Sequence, residues 1–399
     1  MVHEVIIDPL QQVSSVYWGT VFFVFGCIVG SFLNVCIHRL PREESIVSPP
    51  SHCPNCNWKI PWYFNIPIIS WIVLRGKCYN CGVKISPRYL IVEALTGLLF
   101  LASWIKYGSS YPLLALIYSL FIAGLIAASF IDFEHYIIPD EITLGGIGLG
   151  ILLSIFYPPL HGVDSAAKSF LNSLIGVATG AGLIFLIVQT GKLIFGRYKV
   201  KLDDHTWMVF TDENLVILKT KKDIDQPAET LQDIPPQSED WLHDSFRETP
   251  QVCESIPYSE IFSRQSDCII FHAKTLELHD RCFWNVDVRL SPKSLKIGKD
   301  EFDPETISFM EVTTDKIILP REAMGFGDVK YMAAIGAFLG WKGVLFSLCA
   351  SSIIGALIGF VLLGITGNRS TKIPYGPFIS IAALIWIFFG EDIIRLWLF

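Results

Sequence analysis

The sequence predicts a mainly α fold: a polytopic membrane bundle of about eight transmembrane helices, interrupted by a small tetracysteine loop and a β-rich polar insertion. Three observations predict it. Six windows of the 399-residue chain carry no charged residue over a length that can cross hydrocarbon: 13–37, 112–131, 142–163, 169–191, 343–367 and 373–390. Four of the ten cysteines fall in two CxxC pairs between the first two apolar stretches. The acidity is confined to one block: 201–320 holds 24 acidic and 13 basic side chains, so its balance of -11 outweighs the whole chain's -7. Only 17% of residues are charged, against about 25% in a soluble domain, and mean hydropathy is +0.46. An ordinary soluble protein and a disordered chain are both excluded on these numbers.

Residues 1–40 read as an outer N-terminus and the first transmembrane helix. Residues 1–12 lack a basic segment and the apolar run that follows is long enough to span, so no cleavable signal is expected. Residues 41–88 form the tetracysteine loop. Residues 89–196 supply helices two to five; the window 89–105 carries only Glu93. Residues 197–320 are the acidic insertion, and 321–399 hold the last three helices, beginning with a window, 325–341, that carries Asp328 and Lys330. Lys and Arg outside the acidic block fix the orientation: with both termini outside the cytoplasm, 14 fall on the inner side and four on the outer. The large loops are then cytosolic.

The pairs Cys53-Pro-Asn-Cys56 and Cys78-Tyr-Asn-Cys81 have 21 residues between them. Two such knuckles match a closed, structural four-thiolate zinc site of zinc-ribbon type, each tight turn presenting two thiolates. A reducing cytosol argues against disulfides, and a redox CxxC needs only one pair. Cys27, Cys36 and Cys349 lie in apolar spans as small packing residues.

Ionisable side chains at the edge of a span are costly and therefore candidates for function. Asp132 closes the run 112–131, before Pro139, which is expected to break the helix; Asp328 follows Gly325 and Gly327 and precedes Lys330. Two carboxyls brought together share one proton, because both cannot ionise at close range. One then activates water and the other polarises a peptide carbonyl. The two glycines allow close backbone approach beside a substrate. Asp140 competes with Asp132 for the first position, and spacing alone leaves that choice open.

Several stretches, in order, resemble the bacterial type IV prepilin peptidases, bifunctional leader peptidases and N-methyltransferases of the GxGD membrane aspartic protease family. They are Gly30-Ser31-Phe32-Leu33-Asn34 through His38-Arg39-Leu40-Pro41, the tetracysteine loop from Ser51 to Arg88, Ile131-Asp132 through Pro139-Asp140, Gly325-Phe326-Gly327-Asp328, and Pro374-Tyr375-Gly376-Pro377. The resemblance covers roughly 13–196 and 321–390. It implies that Asp132 and Asp328 are the catalytic dyad. It also implies removal of the leader of type IV prepilins or pseudopilins at the cytosolic face, as in type IV pilus and type II secretion systems, followed by methylation of the new terminus from S-adenosylmethionine.

No glycine-rich nucleotide loop follows a strand, so any methyl-donor pocket must use the first span and the tetracysteine loop. Asn34 and Glu93 are candidate contacts there, with helix packing the equal alternative. In the insertion, 207–210 and 215–218 read as a hairpin, as do 286–290 and 294–297, while 268–271 and 276–278 read as separate strands and 223–250 as a flexible excursion. Its acidity argues against nucleic acid and anionic lipid as partners and suits a basic leader or an assembly partner. Two other functions compete: a peptidase without methyl transfer, and a cation- or proton-coupled transporter, which requires midplane carboxylates and inverted repeats.

Overall fold

The computed structural model describes residues 9–195, 197–202, 206–211, 214–219, 251–262, 267–307, 309–320, 325–366 and 373–397. The expected excursion 223–250 lies outside them. The chain divides into two compact units, Met1–Ile187 with Met324–Phe399, and Val188–Ala323.

The first unit is a helix bundle. Its elements are α1 (Pro9–Arg39), α2 (Ile69–Val73), α3 (Arg88–Ser103), α4 (Pro112–His135), α5 (Asp140–Phe156), α6 (Ala166–Phe195), followed after the second unit by two further long helices, Phe326–Thr366 and Gly376–Trp397. Among the described residues six helices are long and apolar enough to cross a membrane. The windows 325–341 and 343–367 run together in the longest of them, which is broken at Gly340. With φ 66° and ψ -179°, Gly340 takes a backbone conformation essentially restricted to glycine, so the two spans are separate helices meeting at a kink: Tyr331 of the first bonds Ser380 and Ser351 of the second bonds Tyr375, five residues away on the same neighbouring segment. The window 142–163 yields only 17 helical residues, α5, because Pro158 and Pro159 cannot continue a helix and form a 3-10 turn instead. At about 1.5 Å per residue, 17 residues reach roughly 26 Å, just under the hydrocarbon thickness.

Lipid supplies no hydrophobic drive between helices, so the bundle closes on small residues. Gly30 of α1 lies so near α3 that a Cβ there would sit 2.7 Å from the Glu93 Cα, and Gly26 stands in the same relation to Gly97. Gly176 of α6 meets the carbonyl of Gly336 at 2.0 Å from an added Cβ, so those two helices touch backbone to backbone. Helix α4 packs on α1, α3 and α5 and is the most buried of the spans.

The second unit has a ten-stranded antiparallel sheet: β1 (Arg197–Lys201), β2 (Thr206–Phe210), β3 (Asn214–Lys219), β4 (Gln251–Pro257), β5 (Ile269–Leu278), β6 (Cys282–Ser291), β7 (Ser294–Ile297), β8 (Asp300–Phe302), β9 (Met310–Thr313) and β10 (Lys316–Pro320), with the short α7 (Tyr258–Ile261) after β4. The order is β4-β3-β2-β9-β5-β6-β7-β8, with β10 pairing both β1 and β5. Both expected hairpins form, as β2–β3 and β6–β7. The stretches 268–271 and 276–278 are one strand, β5: its first half pairs with β10 and its second with β9. The polar His272 and Lys274 that divided them in sequence lie on the exposed face of that strand. Met208, Phe271, Leu276, Val288 and Val312 help build a separate apolar core.

Candidate active site

The end of α4, the start of the helix Phe326–Thr366 (α8) and the start of Gly376–Trp397 (α9) meet at one end of the bundle. Helix α4 runs to His135 and stops at Tyr136, whose left-handed φ of 56° turns its N–H back to the Asp132 carbonyl. Asp132 therefore stays on the helix, on its buried face, at 6% exposure. Asp328 is in the first turn of α8, at 9% exposure. The two carboxyls lie close enough for their charges to interact.

The Gly376 backbone N–H donates to Asp132 Oδ2 at 2.8 Å. This contact requires glycine, since a Cβ at 376 would stand 2.7 Å from that oxygen. The neighbouring Tyr375 hydroxyl bonds Ser351 Oγ of α8 at 2.8 Å, which anchors the turn. The GxGD glycines are looser than expected. A Cβ at Gly325 would meet Asp328 Oδ2 at 3.7 Å, and one at Gly327 would meet Ile138 at 3.5 Å, both ordinary contacts.

Asp140 stands apart from this pair. It opens α5, and both its oxygens accept from Lys330 Nζ, at 2.6 and 2.8 Å, in a partly exposed ion pair. Lys330 also lies over the Phe326 ring, so it ties the starts of α5 and α8 together. Pro139 is the extended cap of α5, its carbonyl accepting from the Ile142 and Thr143 N–H groups; the left-handed Tyr136, three residues earlier, ends α4. Glu134 pairs with Arg88 at the start of α3.

The four cysteines converge. One ligand atom from each of Cys53, Cys56, Cys78 and Cys81 lies within 4.8 Å of the others, the only such cluster among the described residues. Cys53 Sγ and Cys81 Sγ are 3.8 Å apart, which equals the edge of about 3.8 Å expected of a tetrahedron with Zn–S bonds of about 2.3 Å. The donor set and its spacing fit zinc. The knuckles are near copies: Cys53 N–H bonds the Trp58 carbonyl and Cys78 N–H bonds the Val83 carbonyl, while Asn57 and Gly82 make the turns with left-handed φ. Each knuckle's asparagine reaches across to the other's second cysteine, Asn55 Nδ2 to Cys81 Sγ at 3.7 Å and Asn80 Nδ2 to Cys56 Sγ at 3.6 Å. The repeated Asn before the second cysteine was visible in the sequence and marks this role. The Val83 backbone and the Asn55 amide draw the Cys81 thiol down to about 6, whereas burial pushes the Cys53 thiol up to about 11. Trp58, Phe64 and Tyr79 form an aromatic triangle that gives the loop a small core of its own.

A cavity of about 770 Å³ lies between α1 and the loop segments 46–51 and 65–69; pockets for small organic ligands run from about 300 to 1,000 Å³. Phe23, Ser31, Phe32 and Arg39 are among its lining residues. The buried Arg39 donates to the Ser45 and Pro49 carbonyls and so holds one wall. Glu93 holds the other without lining the cavity: its Oε2 accepts the Ile68 N–H at 2.7 Å. Ile68 sits at φ 63° and ψ -54°, the centre of a tight three-residue turn closed by Ile69 N–H on the Pro67 carbonyl. Such strain persists only where surroundings enforce it. Asn34 lies outside the lining as well; its amide bonds the Tyr89 and Gly30 carbonyls, joining α1 to α3.

Two family models match this architecture. The Bacterial Peptidase A24 N-terminal domain matches residues 24–107, across α1, the cysteine loop and α3. The Type IV leader peptidase family matches 119–202 and 306–360, leaving most of the β unit unmatched between them. A prepilin leader peptidase/N-methyltransferase of Myxococcus xanthus (strain DK1622) is 42% identical over 185 residues, 45% of this chain and 52% of the relative. One of Dichelobacter nodosus is 37% identical over 44% of this chain and 68% of its own. One of Aeromonas hydrophila is 24% identical over 94% of this chain and 92% of its own. No solved structure matches. With its buried aspartates at one end of a multi-pass bundle and its cysteine loop between α1 and α3, the chain belongs to the type IV leader peptidase family.

Proposed function

We propose that this chain is an aspartic endopeptidase that removes the leader of type IV prepilins or pseudopilins at the cytosolic face of the inner membrane, and then methylates the new N-terminus from S-adenosylmethionine. The observation that carries the first half is the buried pair Asp132 and Asp328, with Asp132 held by the Gly376 N–H. Sharing one proton, the ionised member takes a proton from water as the oxygen attacks the scissile carbonyl. The protonated member gives its proton to the carbonyl oxygen. The tetrahedral intermediate collapses as the C–N bond breaks: the leaving amine takes the proton first abstracted, and a hydroxyl of the intermediate returns its proton to the carboxylate that had donated one, which restores the shared-proton pair. Asp140, committed to Lys330, serves as structure. The 14-to-four partition of basic residues supports a cytosolic dyad and both termini outside.

The names of the relatives support the second half. The cavity beside α1 is the site we assign to the methyl donor: its volume suffices, its phenylalanines suit a planar base, and Arg39 gives it positive charge at one end. Glu93 and Asn34 then act on the walls and the helix packing rather than on the donor. Cys53, Cys56, Cys78 and Cys81 would hold a zinc ion, which would keep the loop folded beside that cavity.

Asp132→Asn and Asp328→Asn should each abolish prepilin cleavage in proteoliposomes, a loss of at least about 10³-fold, while Asp140→Asn leaves it within a few-fold. Full activity in either dyad variant would sink the assignment. Cys53→Ser with Cys78→Ser should reduce bound zinc from one equivalent to none. Methyl transfer, read by mass spectrometry of the mature terminus, should be lost with it.

A further inference from the structure

Beneath the dyad, one helical turn further into the bundle, three hydroxyls meet. Ser129 is three residues before Asp132 on α4, Tyr331 three after Asp328 on α8, and Ser380 four after Gly376 on α9. Residues three or four apart share a helix face, so each hydroxyl stands directly below the group it follows or precedes. Ser380 Oγ is the hub. It lies 2.6 Å from the Tyr331 hydroxyl and 2.7 Å from Ser129 Oγ, and it donates to the Gly376 carbonyl at 2.9 Å. Ser129 also reaches the Leu125 carbonyl at 2.7 Å. Tyr331 and Ser380 are 2% and 3% exposed, and the Tyr331 hydroxyl lies within electrostatic reach of both aspartates.

A serine bonding the carbonyl four residues back is common in helices and by itself means little. Here the same oxygen also receives groups from two other helices, and those are the helices that carry the aspartates. With Ser380 donating to the Gly376 carbonyl, its oxygen is left to accept from Tyr331, and the single Ser129 proton is divided between Ser380 Oγ and the Leu125 carbonyl. Gly376 is thus gripped on both sides, its N–H by Asp132 and its carbonyl by Ser380. In an apolar interior an unmade hydrogen bond has no water to replace it.

We infer that Ser380, with Tyr331 and Ser129, is a positioning layer that sets the separation and orientation of Asp132 and Asp328 for peptide cleavage. The inference rests on the aspartic reading of the dyad. The layer touches neither substrate nor the reacting water; it acts through Gly376 and through the register of three helices. Its loss should therefore lower kcat and leave KM alone.

Tyr331→Phe removes one hydroxyl and keeps the ring. The full-length enzyme in proteoliposomes should show kcat for prepilin cleavage reduced about tenfold, equivalent to about 1.4 kcal/mol, with KM within about twofold and an altered pH profile. Ser380→Ala should behave alike, Ser380→Thr should recover most of the rate, and the double variant Tyr331→Phe/Ser380→Ala should be little worse than either single one. Methyl transfer to a synthetic peptide with an already free N-terminus, measured on the same vesicles, should stay at the wild-type rate. Unchanged kcat and pH profile in Tyr331→Phe would overturn the inference. Equal loss of cleavage and methyl transfer would overturn it too, by showing general damage to the bundle. Asp132→Asn and Asp328→Asn, run alongside, separate the two claims: cleavage that survives them removes the dyad, whereas a silent Tyr331→Phe beside dead aspartate variants removes only the layer.

Discussion

The helix bundle and the β unit bury their residues by opposite means. The β unit fills its interior with large side chains from alternating strand positions, such as Phe271, Leu276 and Val288, and leaves its charge outside. Water drives that arrangement, and its stability follows the apolar area removed. The bundle has no water to escape from on most of its surface, so its helices close on glycines and on single polar contacts. Volume removed should therefore break the first, and volume added should break the second.

The largest expected effect is in the β unit. Phe271→Ala should cost about 3–5 kcal/mol and make that unit sensitive to limited proteolysis, with the thermal transition of the bundle unchanged. A destabilisation under 1 kcal/mol would mean the core is not the source of the unit's stability. Next comes an addition to the bundle. Gly376→Ala places a Cβ on Asp132 Oδ2 and should lower prepilin cleavage about 100-fold, or about 2.7 kcal/mol. Gly327→Ala, whose Cβ has room against Ile138, should cost less than about tenfold. If the two glycines rank the other way in the same assay, steric access to Asp132 is not what selects glycine at 376. The smallest effect belongs to the partly exposed pair Lys330–Asp140. Lys330→Ala should lower stability by at most about 1 kcal/mol and cleavage by no more than about twofold.

Much of the site was legible because it is local. Two CxxC knuckles with metal-ligand spacing are read from the sequence alone; the structure brings their four thiols together and crosses Asn55 and Asn80 between them. Asp132 and Asp328 stood out because charge at the edge of an apolar run is costly. The choice between Asp132 and Asp140 was not legible, since both follow the same run. The left-handed Tyr136 separates them: it leaves Asp132 on the buried face of α4 and puts Asp140 on the next helix, facing Lys330. Glu93 drew attention for a sound reason and turned out to hold a strained turn, a partner that no periodicity signals.

The sequence by itself determined the order of the apolar stretches, the grouping of the four cysteines, and the acidic β insertion with both its hairpins. These follow from composition, spacing and period-two alternation over a few residues. Tertiary structure alone decided that the windows 325–341 and 343–367 meet at a kink at Gly340, that Gly376 reaches Asp132 across 244 positions, and that Ser129, Tyr331 and Ser380 meet beneath it. A hydrogen bond or a glycine contact between distant helices depends on how their faces are rotated in the bundle. Nothing within a single helix's own sequence records that rotation.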